Sequence, residues 1–150
     1  MKSPIIVALD MGPENALRLA KKIDPQECKV KVGSQLFTVG GPLVIEKLND
    51  LGFDVFLDLK FHDIPNTVRK AVEATIKMGV WMLNIHSLGG KEMLRVAHEV
   101  IEKASIKPLL VGVTVLTSLN DKALKEIGLE HKMEDQVLLL AKLCETEGLD

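Results

Sequence analysis

The chain has 150 residues, a length typical of one domain. Hydrophobic residues make up 47% of it and charged residues 27%, a balance that supports a packed core and excludes intrinsic disorder. The formal net charge of −2 and the scarcity of aromatic residues give no reason to expect a nucleic acid or an anionic membrane as partner.

Short apolar runs rich in β-branched residues alternate along the chain with longer amphipathic segments. The apolar runs predict five strands: Ile5–Leu9, Cys28–Val32, Asp54–Leu59, Val80–Ile85 and Pro108–Val113. The amphipathic segments predict helices: Pro13–Ile23, Pro42–Leu51, Ile64–Met78, Lys91–Lys103, Lys122–Ile127 and Met133–Glu147. Proline at several helix starts and glycine just past several helix ends support these boundaries.

This βα alternation fits two architectures, an open doubly wound sheet and a (β/α)8 barrel. Five βα units in 150 residues suit the open sheet, because a barrel needs at least about 200 residues. Periodicity alone leaves both architectures open.

Charged residues collect where the predicted strands end. Asp10 closes the first strand, Lys31 lies near the end of the second, and Asp58 and Lys60 follow the apolar start of the third, with Asp63 in the next loop. The carboxyl ends of parallel strands form the ligand-binding rim of α/β folds. Asp58 and Lys60 are two positions apart and share a face if the strand persists. The pattern predicts a cavity of alternating charge that faces an anionic substrate.

Other interpretations of these residues remain open at this point. Asp58 and Lys60 would contribute only about 0–1 kcal/mol as a solvated ion pair. Lys29 shares the face of Lys31, so alternation does not choose between them. His62 is either a base or ligand or, more often for a loop histidine, a hydrogen-bonding surface residue or a structural residue.

His86, after the fourth predicted strand, has the same two interpretations as His62. The glycine pairs at positions 40–41 and 89–90 are typical of turns, and phosphate binding is the other interpretation. Cys28 and Cys144 match no metal-ligand spacing and are interpreted as buried free thiols in a reducing compartment. No stretch approaches a transmembrane length, and we therefore expect a cytoplasmic domain.

The ten residues from Asp58 to Thr67 read Asp-Leu-Lys-Phe-His-Asp-Ile-Pro-Asn-Thr. They resemble the signature of the bacterial type of orotidine 5′-monophosphate decarboxylase. Further segments resemble that family in the same order: Ala8–Asp10, Lys31–Gly33, Leu36–Thr38, Gly52–Leu57, Gly79–Met82, His86–Gly90 and Val113–Ser118. The resemblance covers essentially all of the chain.

The resemblance implies a (β/α)8 TIM-barrel fold, of which residues 1–150 would be a single domain holding about the first five βα units, the N-terminal portion of the barrel. It implies a cytoplasmic homodimer that needs no metal or cofactor. The implied reaction is the decarboxylation of orotidine 5′-monophosphate to uridine 5′-monophosphate, the last step of pyrimidine nucleotide synthesis. The residues that bind the phosphate are expected beyond Asp150.

Matching positions imply roles for individual residues. Lys60 would stabilise and then protonate C6 of the pyrimidine, and Asp58 would face the substrate carboxylate. Lys31 would hold Asp58 and the ribose, and Asp10 would bind the ribose. Thr117 would lie near the pyrimidine ring.

Asp63 matches an aspartate that crosses the dimer interface into the partner's site, with Ile64 and Thr67 beside it. Two other functions remain as alternatives. One is a metal-dependent decarboxylase of a sugar phosphate from the same superfamily, and the other is a non-catalytic nucleotide-binding fragment.

Overall fold

The computed structural model describes residues 3–150, which form one parallel sheet with helices packed against it. The strands are β1 (Ile6–Ala8), β2 (Lys29–Gly33), β3 (Val55–Phe61), β4 (Met82–His86) and β5 (Leu109–Val113). The helices are α1 (Pro13–Ala20), α2 (Ser34–Asp50), α3 (Pro65–Lys77), α4 (Gly90–Glu102), α5 (Asp121–Glu126) and α6 (Met133–Thr146), with a 3-10 turn at Ser87–Gly89. All five predicted strands are confirmed, with small shifts at their ends.

The order of the strands decides between the two architectures. The sheet runs β1-β2-β3-β4-β5, and every neighbouring pair is parallel. A doubly wound sheet reverses its strand order at a switch point, whereas a (β/α)8 barrel adds strands in chain order. The sheet is therefore of the barrel type, with β1 and β5 as its edges, and the five strands form an incomplete barrel. The preference for an open sheet from length alone was wrong.

Helix α2 differs most from its prediction. It begins at Ser34 rather than Pro42 and contains a kink at Gly41, whose φ is 57°. The sequence Gly40-Gly41-Pro42 is typical of a turn, which is why the first half of the helix was missed. The left-handed conformation of Gly41 breaks the helix axis there and lets the chain resume helical geometry at Pro42.

One face of the sheet packs against the helices. Val32, Leu57, Leu83 and Leu110 lie side by side across four strands and are at most 1% exposed. These four apolar residues form the centre of the core, and the burial of each such side chain contributes about 1.5–3 kcal/mol to the free energy of folding. The residues that alternate with these along each strand point to the other face, and the charged residues of the sheet lie there. No helix within residues 3–150 is long and apolar enough to cross a membrane.

The two cysteines lie in this core, as the sequence predicts. Cys28 and Cys144 are each 8% exposed and unpaired. Cys144 packs tightly against Gly112 of β5, where its sulfur occupies the space that a Cβ atom would need. Burial raises the pKa of the Cys144 thiol, which keeps it in the neutral form.

Candidate active site

Four charged side chains form a continuous row at the carboxyl ends of β1, β2 and β3. Lys31 Nζ lies 3.2 Å from Asp10 Oδ1 and 3.2 Å from Asp58 Oδ2. Lys60 Nζ lies 2.6 Å from Asp58 Oδ1. The row therefore alternates in sign, from Asp10 through Lys31 and Asp58 to Lys60, as the positions of the charges along the chain predict.

The sheet register explains why Lys31 joins this row and Lys29 does not. Lys31 pairs with Ala8 of β1 and Phe56 of β3, and its side chain extends toward the carboxyl end of the sheet. Lys29 lies at the opposite end of β2. Its ammonium donates to the carbonyl of Ser3 at 3.0 Å and lies 4.9 Å from the centre of the Trp81 ring. The ambiguity between the two lysines is resolved in favour of Lys31.

Strand β3 is irregular where it carries the site. Leu57 pairs with Leu83 and Phe61 with Ile85, and the register shifts between these two pairs. Lys60 lies within the shift and has a φ of 52°, the only positive φ of a residue other than glycine in the described part of the chain. Asp58 and Lys60 do come together, but through this irregularity rather than through the simple alternation of a regular strand.

Asn84 is the residue of this site that sequence reasoning missed. It is 4% exposed on β4, and its Nδ2 donates to Asp58 Oδ1 at 2.6 Å. Its Oδ1 accepts a hydrogen bond from the backbone N–H of Lys60 at 2.7 Å. A polar residue within the otherwise apolar run Leu83–Ile85 was the available signal, because a buried amide needs partners.

The row stabilises its own charged state. Burial alone would raise the pKa of Asp58, but hydrogen bonds from Lys60, Asn84 and Lys31 outweigh burial and hold that pKa below its ordinary value. Burial would lower the pKa of Lys31, yet the carboxylates of Asp10 and Asp58 raise it above its ordinary value. Both groups are therefore ionised at neutral pH, and Asp58 offers a fixed negative charge.

His62 and His86 stack beside the row. Their ring centres are 5.2 Å apart and their planes are inclined by 19°. His86 is 8% exposed, and its Nδ1 accepts a hydrogen bond from the backbone N–H of Leu88 at 3.3 Å, which caps the 3-10 turn. Burial, followed by the nearby His62 and Lys60, lowers the pKa of His86. His86 is thus a neutral, structural histidine, in line with the structural interpretation.

We expect His86 to make the stability of the fold depend on pH. The pKa of His86 in the folded protein lies below its ordinary value of 6.5. Below about pH 6.5 the unfolded chain therefore binds a proton at His86 more readily than the folded chain does. The free energy of unfolding should therefore fall as the pH drops below about 6.5, and His86→Asn should reduce this slope. Urea unfolding between about pH 8 and about pH 5 measures this pH dependence, and a variant of an exposed histidine, His131→Asn, serves as the control. Equal slopes in wild type and His86→Asn would contradict the assignment.

The other predicted site residues lie outside the charged row. Asp63 is exposed, and its Oδ1 accepts from the backbone N–H of Ile64 at 2.6 Å. Ile64 is 66% exposed, and Thr67 is exposed in the first turn of α3. Thr117 is exposed in the turn after β5. Within residues 3–150, no hydrogen bond or ion pair joins these residues to the row.

Comparison with known proteins decides the family. The model of the orotidine 5′-phosphate decarboxylase / HUMPS family matches residues 3–150. The chain belongs to this family. The resemblance inferred from the segment Asp58–Thr67 is therefore confirmed.

Individual members of the family agree. The orotidine 5′-phosphate decarboxylase of Hydrogenovibrio crunogenus is 53% identical over 148 residues, which are 97% of this chain and 62% of the relative. That of Dichelobacter nodosus is 52% identical, covering 99% of this chain and 65% of the relative. The crystal structure of the Lactobacillus acidophilus enzyme superimposes with a TM-score of 0.91 at 40% identity, covering 99% of this chain and 69% of that one. This chain thus spans 62–65% of the length of the two curated relatives.

Proposed function

We propose that this chain carries the catalytic charges of an orotidine 5′-monophosphate decarboxylase. The reaction removes the substrate carboxylate as CO2 and leaves uridine 5′-monophosphate, within pyrimidine biosynthesis. The observation that carries the proposal is the alternating row of Asp10, Lys31, Asp58 and Lys60 at the carboxyl ends of a barrel-type sheet. The names of relatives about 50% identical to the chain support the same reaction.

The chemical difficulty is the carbanion that forms at C6 when the carbon–carbon bond breaks. The electron pair stays on C6 with little resonance stabilisation, so a positive charge beside C6 stabilises the transition state. Lys60 supplies that charge, and its ammonium is held by Asp58 at 2.6 Å before the substrate arrives. Because the charge is already oriented, little reorganisation is needed during the reaction. Lys60 then gives a proton to C6 and regains one from solvent.

Asp58 and Lys31 set the field around Lys60. The carboxylate of Asp58 stays ionised because its pKa is held low, so it repels a substrate carboxylate placed beside it. This repulsion acts on the bound substrate and is relieved as CO2 leaves. Lys31 contacts both Asp10 and Asp58, and in the proposal it orients Asp58 while Lys31 and Asp10 bind the ribose. Thr117 in the turn after β5 lies near the pyrimidine ring.

We propose that the active form is a cytoplasmic homodimer. Three exposed residues would reach the partner's site: Asp63, Ile64 and Thr67. None of them contacts the charged row of its own protomer through a described hydrogen bond or ion pair. Ile64 exposes 66% of its surface, and such an apolar side chain gains stability when a partner covers it. The two buried free thiols are typical of a reducing compartment.

In this proposal residues 1–150 are one domain, the N-terminal portion of the barrel. None of the residues assigned a role above binds the substrate phosphate, and contacts to that group would supply binding energy that is used at the reacting carbon.

The reaction is tested by the fall in ultraviolet absorbance of orotidine 5′-monophosphate with the protein that contains residues 1–150, with and without a metal chelator. We expect turnover at the same rate in both, because the proposed steps use only the ammonium and carboxylate groups of the charged row. A rate restored by Mg²⁺, or consumption of a sugar phosphate instead, would favour the metal-dependent alternative. Binding of uridine 5′-monophosphate by calorimetry without any turnover would favour the non-catalytic one.

A further inference from the structure

We propose that Asn84 is a positioning residue that holds Asp58 and Lys60 in their reactive arrangement. This role rests on the proposed function, in which both residues act on the substrate. Three observations support it: the irregular register of β3, the left-handed backbone of Lys60, and the two hydrogen bonds of the Asn84 side chain.

The register of β3 against β4 leaves Asn84 opposite a bulge. Leu57 pairs with Leu83, and Phe61 pairs with Ile85. Asp58, Leu59 and Lys60 therefore stand opposite the single residue Asn84. A bulge of this kind breaks the ladder of backbone hydrogen bonds and redirects side chains. The two residues proposed to act on the substrate are the first and last residues of the bulge.

The backbone of Lys60 requires a specific partner. Its φ of 52° is in the left-handed region, which costs a lysine on the order of 1 kcal/mol. Such a conformation persists only where the surroundings determine it. The N–H of Lys60 donates to Asn84 Oδ1 at 2.7 Å, so the side chain of Asn84 takes the place of the missing ladder acceptor.

The other end of the same amide fixes the carboxylate. Asn84 Nδ2 donates to Asp58 Oδ1 at 2.6 Å, and this is the oxygen that also accepts from Lys60 Nζ at 2.6 Å. A side-chain amide has an acceptor and a donor on one rigid plane, whereas a carboxylate only accepts and a hydroxyl is shorter. The Asn84 side chain therefore links the backbone of Lys60 to the Asp58 carboxylate, which also accepts a hydrogen bond from the Lys60 ammonium.

The side chain at position 84 lies beside a network whose positive and negative charges balance, so its neutrality matters. Asp58 is faced by Lys31 from β2 and by Lys60 from its own strand, and Asp10 contacts Lys31 from beyond β1. His86 follows on β4 and stacks with His62. Asn84 adds a hydrogen-bond donor to Asp58 without changing the balance of two lysines and two aspartates.

The decisive variant is Asn84→Asp, which keeps the shape and the acceptor for Lys60 but replaces the donor with a second carboxylate. We expect kcat to fall at least about 100-fold with a much smaller change in KM, because the loss is in preorganisation of the charges. The pKa of Asp58, followed by carbon-13 NMR of its carboxyl carbon, should rise. The matched control is Asn49→Asp, which loses a comparable bond from Nδ2 to the Met78 carbonyl at 2.9 Å outside the site. The control should change neither kcat nor the titration of Asp58.

A merely structural role gives a different result. In that case Asn84→Asp would lower the free energy of unfolding while kcat and the titration of Asp58 stayed as in wild type, and the proposal would be overturned. Asn84→Ala, which adds no charge, replaces Asn84→Asp if that variant does not fold. In the wild type, an NMR coupling across the hydrogen bond from the Lys60 nitrogen to the Asn84 side chain is expected, and its absence would also overturn the proposal.

The same measurements separate this inference from the proposed function. If the wild-type protein that contains residues 1–150 shows no turnover of orotidine 5′-monophosphate, the proposed function fails. The titration of Asp58 and the coupling to Lys60 still decide whether Asn84 positions the two residues.

Discussion

Lys60→Ala is expected to reduce the turnover of orotidine 5′-monophosphate by at least about 1000-fold, because it removes the charge that we propose stabilises the carbanion. The free energy of unfolding should change by less than about 1 kcal/mol. The Lys60 side chain is 39% exposed, and Asp58 keeps its contacts to Lys31 and Asn84 without it. Initial rates from ultraviolet absorbance and a urea melt measure the two effects. Retained turnover would refute the role of Lys60.

Two matched variants make this result specific. Lys29→Ala removes another lysine at the opposite end of β2, where it contacts Ser3 and Trp81, and should leave turnover intact. Lys60→Gly should be as inactive as Lys60→Ala but more stable by about 1 kcal/mol, because glycine adopts positive φ without strain. An equal stability of the two Lys60 variants would show that the left-handed backbone stores no strain.

Asp58→Asn is expected to lower both activity and stability. Asp58 accepts hydrogen bonds from Lys31, Lys60 and Asn84, so its loss leaves three donors without a charged acceptor. We expect at least about a 100-fold loss of kcat/KM. We also expect a loss of about 1–3 kcal/mol in the free energy of unfolding. Asp58 thus differs from Lys60, because it is the centre of the network while Lys60 lies at its end.

The pH dependence of stability gives an independent check on Asp58. The folded pKa lies below the ordinary value of 3.8, so the stabilisation is complete above that value and is lost as the pH falls from it through the lower folded pKa. Asp58→Asn should lack this acid-induced loss, while the exposed Asp50→Asn should keep it. Acid unfolding curves that are the same for wild type and Asp58→Asn would contradict the network described here.

The sequence predicts those parts of the fold that depend on short-range patterns. Alternating apolar and amphipathic segments located all five strands, and proline at Pro13 and Pro65 marked the starts of α1 and α3. The order of the strands depends on long-range pairing, about which sequence periodicity carries no information. A barrel order was expected only because the segment Asp58–Thr67 resembles a known family. The start of α2 was missed because Gly41 breaks the helix without ending it.

The charged row was predicted for a physical reason, whereas Asn84 was not. Asp10 follows β1, and Lys31 and Asp58 lie on the adjacent parallel strands β2 and β3, whose carboxyl ends meet at one edge of the sheet. The bulge in β3 depends on the left-handed conformation of Lys60, which the residue type does not indicate because such conformations favour glycine. Without the bulge, the position of Asn84 opposite Asp58 and Lys60 is not visible in the sequence.

The most direct test of the account is a crystal structure of this chain with uridine 5′-monophosphate bound. We expect Lys60 Nζ within about 3.5 Å of C6, with the ribose hydroxyl groups against Asp10 and Lys31. A nucleotide bound away from this row, or a pyrimidine ring whose C6 faces away from Lys60, would contradict it.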